Sequence, residues 1–200
     1  MNPIVLTLRQ IRALCRISDS RILFRPRDLV AVSRSHMLVV PWPEDQGRNF
    51  AISTSALWPW FVVVGKQVHQ REVCTIWDGE GPFRIPHDHV NVELRSGRLL
   101  IKRDNGGPSG ATIEEILAGC DGGRITSFAC NPALLRHLRR AQRAFGLPDI
   151  KVGELMGVRL VSALGWNKPT HWAIDTEHGE ARFVLMPVTH PAYEAATRSH

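Results

Sequence analysis

The sequence predicts an α+β fold assembled from a recurring unit of one strand, one helix and several further strands. Two amphipathic helices each follow a strand-like run. Short alternating stretches bounded by turn residues follow the helices. The same order recurs over roughly 1–46, 47–121 and 122–190. The recurrence lies in the order of elements and not in residue identity.

The first unit opens with "IVLTLRQIRALCRI", a short strand running into a helix. On that helix Leu8, Ile11, Leu14 and Cys15 share one side, and Arg9, Arg12 and Arg16 gather on the other. Three strands are expected next, "RILFRP", "LVAVSR" and "HMLVVPW", with turns at Arg27-Asp28 and Ser35, and then a loop, "WPEDQGRN".

The second unit starts with the alternating strand "FAIST". "SALWPWFVVVGK" is ambiguous: Ser55 suits a helix cap, while Pro59 and the valine run argue against a helix. "EVCTIW" and "FRI", joined by "DGEG", read as a hairpin. "VNVEL" and "RLLIKR", joined by "RSG", read as a better one. "DNGGPSGA" reads as a loop, and "TIEEILAG" as a strand or a short helix.

The third unit begins with a strand, "RITSFAC". Asn131 suits the cap and Pro132 the first position of a helix that stops at Gly146. "DIKVG", "VRLVSAL", "THWAID" and "ARFVLMPV" follow as strands. The end, "THPAYEAATRSH", reads as a loosely held tail, most clearly over 191–200.

The 200 residues carry a net charge of +6 and a sequence pI near 9.7, which points to a polyanionic partner. Four cysteines occur without a Cys-x-x-Cys pair, which argues against a zinc knuckle or disulfide framework and for a reducing, cytoplasmic setting. No apolar run is long enough to span a bilayer, and the N-terminus does not read as a signal peptide. No nucleophile elbow, phosphate-binding loop or dinucleotide fingerprint occurs.

The arginines are the most informative residues. On the helix after Pro132, Leu134, Leu138, Ala141 and Phe145 form one stripe, and Arg136, Arg139, Arg140 and Arg143 lie opposite. That helix holds no acidic residue. A solvated helix face usually mixes signs to gain i,i+4 pairs, so a single-sign face costs stability unless an anion is present. The first helix repeats the arrangement. Two such faces predict contact with a nucleic-acid backbone, without sequence readout. No tryptophan lies on these helices to stack single-stranded bases, so duplex is favoured.

Three stretches carry a family resemblance: "DLVAVSRSHMLVVPWPEDQGRNFAISTSALWPWF", "VELRSGRLLIKRDNGGPSGATIEEILAGCDGGRITSFACNPALLRHL" and "ARFVLMPV". Together they resemble the DNA sliding clamps, the processivity factors typified by the DNA polymerase III beta subunit. The resemblance implies curved antiparallel sheets with helices on one face, which line a ring around duplex DNA. It implies no catalytic residue and no cofactor, and DNA contact through Arg9, Arg12, Arg16, Arg136, Arg139, Arg140 and Arg143. It places partner docking, by DNA polymerase or other replication proteins, at a hydrophobic patch around Val184, Met186, Pro187 and Val188. It also implies a homo-oligomeric ring. Clamp rings hold six domains of two units each, so three units amount to one and a half domains. The expected division is an N-terminal half-unit, 1–46, and a clamp-like domain, 47–190, made of units 47–121 and 122–190.

Two further readings stand beside this one. "GPFRIPHDHVNVE" resembles the first half of the cupin metal motif, with His87, His89 and Glu93 as metal ligands of an enzyme. The second half is missing, because Ile113 stands where a further histidine is needed. The other reading is an adaptor or inhibitor that binds a clamp without touching DNA.

Overall fold

A computed structural model of the chain describes residues 3–42, 47, 49–64, 69, 71–79, 84–104, 110–125, 130–147, 157–165 and 168–187. The first unit is β1 (Ile4–Thr7), α1 (Leu8–Ile17), β2 (Arg21–Phe24), β3 (Asp28–Val32) and β4 (His36–Pro41). The second is β5 (Phe50–Ser53), α2 (Thr54–Val64), β6 (Val73–Asp78), β7 (His89–Leu94) and β8 (Gly97–Lys102). After α3 (Gly110–Ala118), the third holds α4 (Pro132–Phe145), β9 (Val158–Ala163), β10 (Thr170–Thr176) and β11 (Gly179–Leu185).

Local chemistry accounts for the helix ends. Thr7 and Gln10 form a reciprocal capping box that fixes the strand-to-helix junction of the first unit. Asn131 accepts from the Ala133 amide at 2.9 Å and Pro132 occupies the first turn of α4, as the sequence predicts. Gly146 ends α4 in an extended conformation, φ −64°, and not in the left-handed one a helix-stop glycine usually takes. Glycine is needed there for space: a Cβ would sit 2.5 Å from the Gln142 carbonyl oxygen.

The ambiguous apolar stretch is a helix. α2 starts at Thr54, so Ser55 lies in its first turn and not at the cap, and Pro59 is accommodated inside it. Leu57 and Phe61, one turn apart, are fully buried, so packing outweighs the local cost of proline. The "TIEEILAG" stretch lies in α3. The hairpin expected between "EVCTIW" and "FRI" does not form: Arg84 and Ile85 are outside any strand, and β6 pairs with β7 instead. The β7–β8 hairpin forms as expected. "DIKVG", most of "WPEDQGRN", residues 126–129 of "RITSFAC" and the 191–200 tail lie outside the described residues.

The strands form two antiparallel sheets, in the orders β1-β6-β7-β8 and β5-β2-β3-β4-β11-β10-β9. The first two units exchange their leading strands: β1 pairs with β6, and β5 with β2. The third unit joins the first where β4 meets β11, with Leu38 opposite Phe183 and Met37 opposite Val184. The boundary expected at residue 46 is crossed by all three junctions. Among the described residues, no strand pair joins 47–121 to 122–190.

Alternation along β3, β4 and β11 sends side chains to two cores. Leu29, Ala31, Leu38, Val40, Phe183 and Leu185 face the main core, which also takes the buried faces of α1, α2 and α4. Val30, Met37, Val39 and Val184 face the other way, onto Ile113, Leu117 and Cys120 near and within α3. Three helices thus share one face, and α3 covers the opposite one. Among the described residues, no helix is long and apolar enough to cross a membrane.

Candidate functional site

α1 and α4 pack side by side on the main-core face. Ala13, buried, and Ala144, half-buried, lie between them, and these small side chains let the two helices approach closely. The burial of Leu8, Ile11 and Leu14 on one helix, and of Leu138, Ala141 and Phe145 on the other, fixes both rotations. Each buried face turns its arginines outward, toward the same side.

The result is a groove of about 500 Å³ lined by Arg9, Arg12, Arg16, Arg136, Arg139, Arg140 and Arg143. All seven arginines singled out in the sequence meet there. Among the described residues, no carboxylate lines the groove. Elsewhere arginines are neutralised: Arg21 meets Asp104, Arg25 meets Asp28 and Glu114, Arg103 meets Asp78, and Arg159 meets Asp175 and Glu180.

The seven differ in how they are held. Arg12 donates from Nη2 to the Phe61 carbonyl at 2.9 Å, near the C-terminal end of α2, where that helix carries partial negative charge. Arg16 lies over the Trp58 ring, 5.0 Å from its centroid. Arg140 donates from Nη1 to His137 Nδ1 at 3.2 Å. Arg9, Arg136, Arg139 and Arg143 are exposed. Desolvation, with repulsion from Arg16 second, lowers the pKa of Arg12. Desolvation, then Arg16 and Arg136, does the same to Arg140. These guanidiniums stay charged, and each destabilises its neighbours' charges.

His137 forms part of the groove's foundation. Its pKa is pushed down to about 4, by desolvation first and then by His36, Arg140 and Arg136. Its neutral Nδ1 can therefore accept from Arg140. Neither histidine stood out in the sequence as part of this site. The spacing of His137 three residues before Arg140 was the available signal.

The expected docking patch is partly covered. Val184 is fully buried beneath α3, while Met186 and Pro187 are half-buried, and Met186 packs against the same small core. Val188 lies outside the described residues. The sequence left the covering element open between strand and short helix, although Ile113, Ile116, Leu117 and Cys120 recur at helical spacing in "TIEEILAGC".

The metal reading finds no geometry. His87 lies in a turn, His89 opens β7 and Glu93 sits four residues further along it, opposite Arg98. Four strand residues span about 13 Å. His89 Nδ1 instead pairs with Asp88 at 2.7 Å. Among the described residues, no three histidine, cysteine or acidic side chains are grouped to hold a metal ion.

No protein-family model and no curated protein sequence matches this chain. Solved structures do. The PCNA2–PCNA3 complex from Sulfolobus tokodaii matches with 9% identity and a TM-score of 0.50, over 92% of this chain and 98% of that one. A. fulgidus PCNA bound to the C-terminal region of FEN-1 matches with 12% identity and a TM-score of 0.49, over 95% and 99%. The DNA polymerase III beta chain from Streptococcus pneumoniae matches with 7% identity and a TM-score of 0.48, over 95% of this chain and 65% of that one. The chain thus spans nearly the whole length of the first two and about two thirds of the third. Its fold is sliding-clamp-like.

Proposed function

We propose that this chain is a non-enzymatic, clamp-like protein of DNA replication or repair, acting in the cytoplasm, that holds the backbone of duplex DNA in its arginine groove. The observation that carries the reading is the convergence of seven arginines from two separate helices on one groove that no carboxylate lines among the described residues. Guanidinium forks suit phosphate oxygens, and a site of this kind gains affinity by releasing counterions. It reads no sequence. Replication partners would dock around Met186 and Pro187, beside the α3-covered face, and copies of the chain would associate into a ring.

The test is duplex affinity as a function of salt, measured by fluorescence anisotropy on two unrelated sequences. The expected slope of log K against log salt is roughly −0.9 per phosphate contacted, equal for both sequences. Arg136→Glu, Arg139→Glu, Arg140→Glu and Arg143→Glu combined should abolish binding. Undiminished binding by that variant, with its helix content intact, rules the reading out.

A further inference from the structure

α2 lies on the same face as the two arginine helices, yet none of its eleven residues, Thr54–Val64, is charged. Leu57 and Phe61 are fully buried in the main core. At 100° per residue, that burial turns Ser55, Pro59, Val62 and Val63 outward, and all four are exposed. Val62 is 43% and Val63 71% exposed, where the outward sides of α1 and α4 carry guanidiniums instead.

This uncharged helix adjoins the arginine groove. α1 packs against α2 as well as against α4. Two of its groove-lining arginines reach α2: Arg12 donates to the Phe61 carbonyl, and Arg16 lies over the Trp58 ring. Trp58 is half-buried and stands one helical turn before Val62. From α4 across α1 to α2, the surface therefore changes from guanidinium to indole and then to aliphatic side chains. Neither arginine helix holds a tryptophan, which favours duplex when the sequence is read alone; the fold brings Trp58 to the edge of the groove from a third helix.

We propose that the Trp58–Val62 rim of α2 receives unpaired bases of a DNA strand whose phosphates lie in the arginine groove. A ligand that covers both surfaces must carry anionic groups beside uncharged, flat faces. A duplex keeps its base faces inside the stack, and leaves an indole and two valines nothing to cover. An unpaired stretch exposes those faces. Bases stack on aromatic rings and on guanidinium planes alike, and the Arg16–Trp58 pair offers both. Such stacking tolerates any base, so the site still reads no sequence. An anionic lipid surface also joins charge to apolar groups, but it fits less well. The guanidiniums line a groove, which a strand can enter and a bilayer surface cannot. Two exposed valines are also little apolar surface to bury among lipids. The inference rests on nucleic-acid contact by the groove, and adds to it a preference for DNA with an unpaired stretch.

The test compares three DNA probes by fluorescence anisotropy on the full chain: a blunt duplex, the same duplex with a single-stranded extension, and that duplex with an abasic extension. The abasic extension keeps every phosphate and removes only the bases. The base-bearing extension should bind at least about fivefold more tightly than the abasic one, the effect of a single stacked base. Equal affinity for the two extensions overturns the inference; if the blunt duplex still binds, the proposed function stands without it. Failure of all three probes to bind removes both. In Trp58→Leu, and in Val62→Ser with Val63→Ser, the ratio of the two extended probes should fall toward one, and Trp58→Phe should restore part of it. An unchanged ratio in the folded variants also overturns the inference. The wild-type comparison stands even where a variant does not fold. Iodouracil placed in the extension should crosslink to α2 on irradiation, and crosslinking confined to other segments counts against the assignment. Sedimentation of the protein with phosphatidylglycerol vesicles, in place of a base-dependent gain, would make the rim a lipid contact and overturn it too.

Discussion

The imidazole of His137 lies on that of His36, ring centroids 4.5 Å apart, immediately beneath the arginine groove. His36 is anchored from below by Ser33 Oγ at 2.9 Å and Ser35 Oγ at 3.0 Å from its Nδ1, and it also stacks on Phe183. Burial lowers its pKa, with Arg140 adding to the shift and Asp19 opposing it. Two neutral rings thus connect the groove to the core.

The pH dependence follows from that contact. His137 titrates near 4 in the folded protein against 6.5 when unperturbed. The unfolded chain therefore binds the proton more tightly. The stabilisation is fully present above about 6.5, is lost as pH falls from there toward 4, and changes little further below that. Thermal unfolding between pH 7 and 4 should show this loss, and His137→Gln should flatten it. A polyanion in the groove offsets the repulsion from Arg136 and Arg140, so the His137 pKa should rise on binding, as followed by NMR titration of its ring protons.

Arg12 and Arg9 line the same groove but should behave differently when removed. Arg12→Ala deletes the charged donor to the Phe61 carbonyl and should cost about 1–2 kcal/mol of stability as well as polyanion affinity. Arg9→Ala removes an exposed side chain and should stay within about 0.5 kcal/mol in stability while weakening binding. Chemical denaturation alongside anisotropy separates the two effects.

α3 is held by packing on the outer face of the sheet and by Arg25, whose guanidinium bridges Asp28 and Glu114. Leu117→Ala should cost about 2–4 kcal/mol, because its side chain is buried between α3 and β3–β4. Glu115→Ala, on the exposed side of the same helix, should be nearly neutral. Denaturant midpoints of the two variants make the comparison.

The four thiols should react in a fixed order. Burial pushes Cys15 and Cys74 up to about 12 and Cys120 to about 11, whereas Cys130 is only half-buried and raised less. Native-state labelling at pH 8 should modify Cys130 first, and Cys130→Ser should remove the fast phase. Early labelling of Cys15 or Cys74 would contradict their burial.

Much of this was legible before any coordinates. The arginine faces of α1 and α4 follow from 3.6-residue periodicity, and so do the buried stripes of both helices. The cap of α4 at Gly146 was legible as well; the start of α2 at Thr54 and the partner of β6 were not, because they depend on which surfaces become available to pack against. α2 is the clearest case: "SALWPWFVVV" has no decisive period, and only the burial of Leu57 and Phe61 against α1 and the sheets makes it a helix. α3 shows the reverse, a legible period in a segment too short to choose between helix and strand by itself.

The sequence alone determined the two single-sign helix faces, since these depend on spacing within a few residues. It could not determine that the two faces meet. Residues 9–16 and 136–143 become one groove only because β4 pairs with β11 and sets α1 beside α4. Nor could it show that Val184, read as a docking residue, is covered by α3. Both outcomes depend on contacts between distant segments, where burying apolar surface compensates for closing long loops, and no local pattern records which segments will meet.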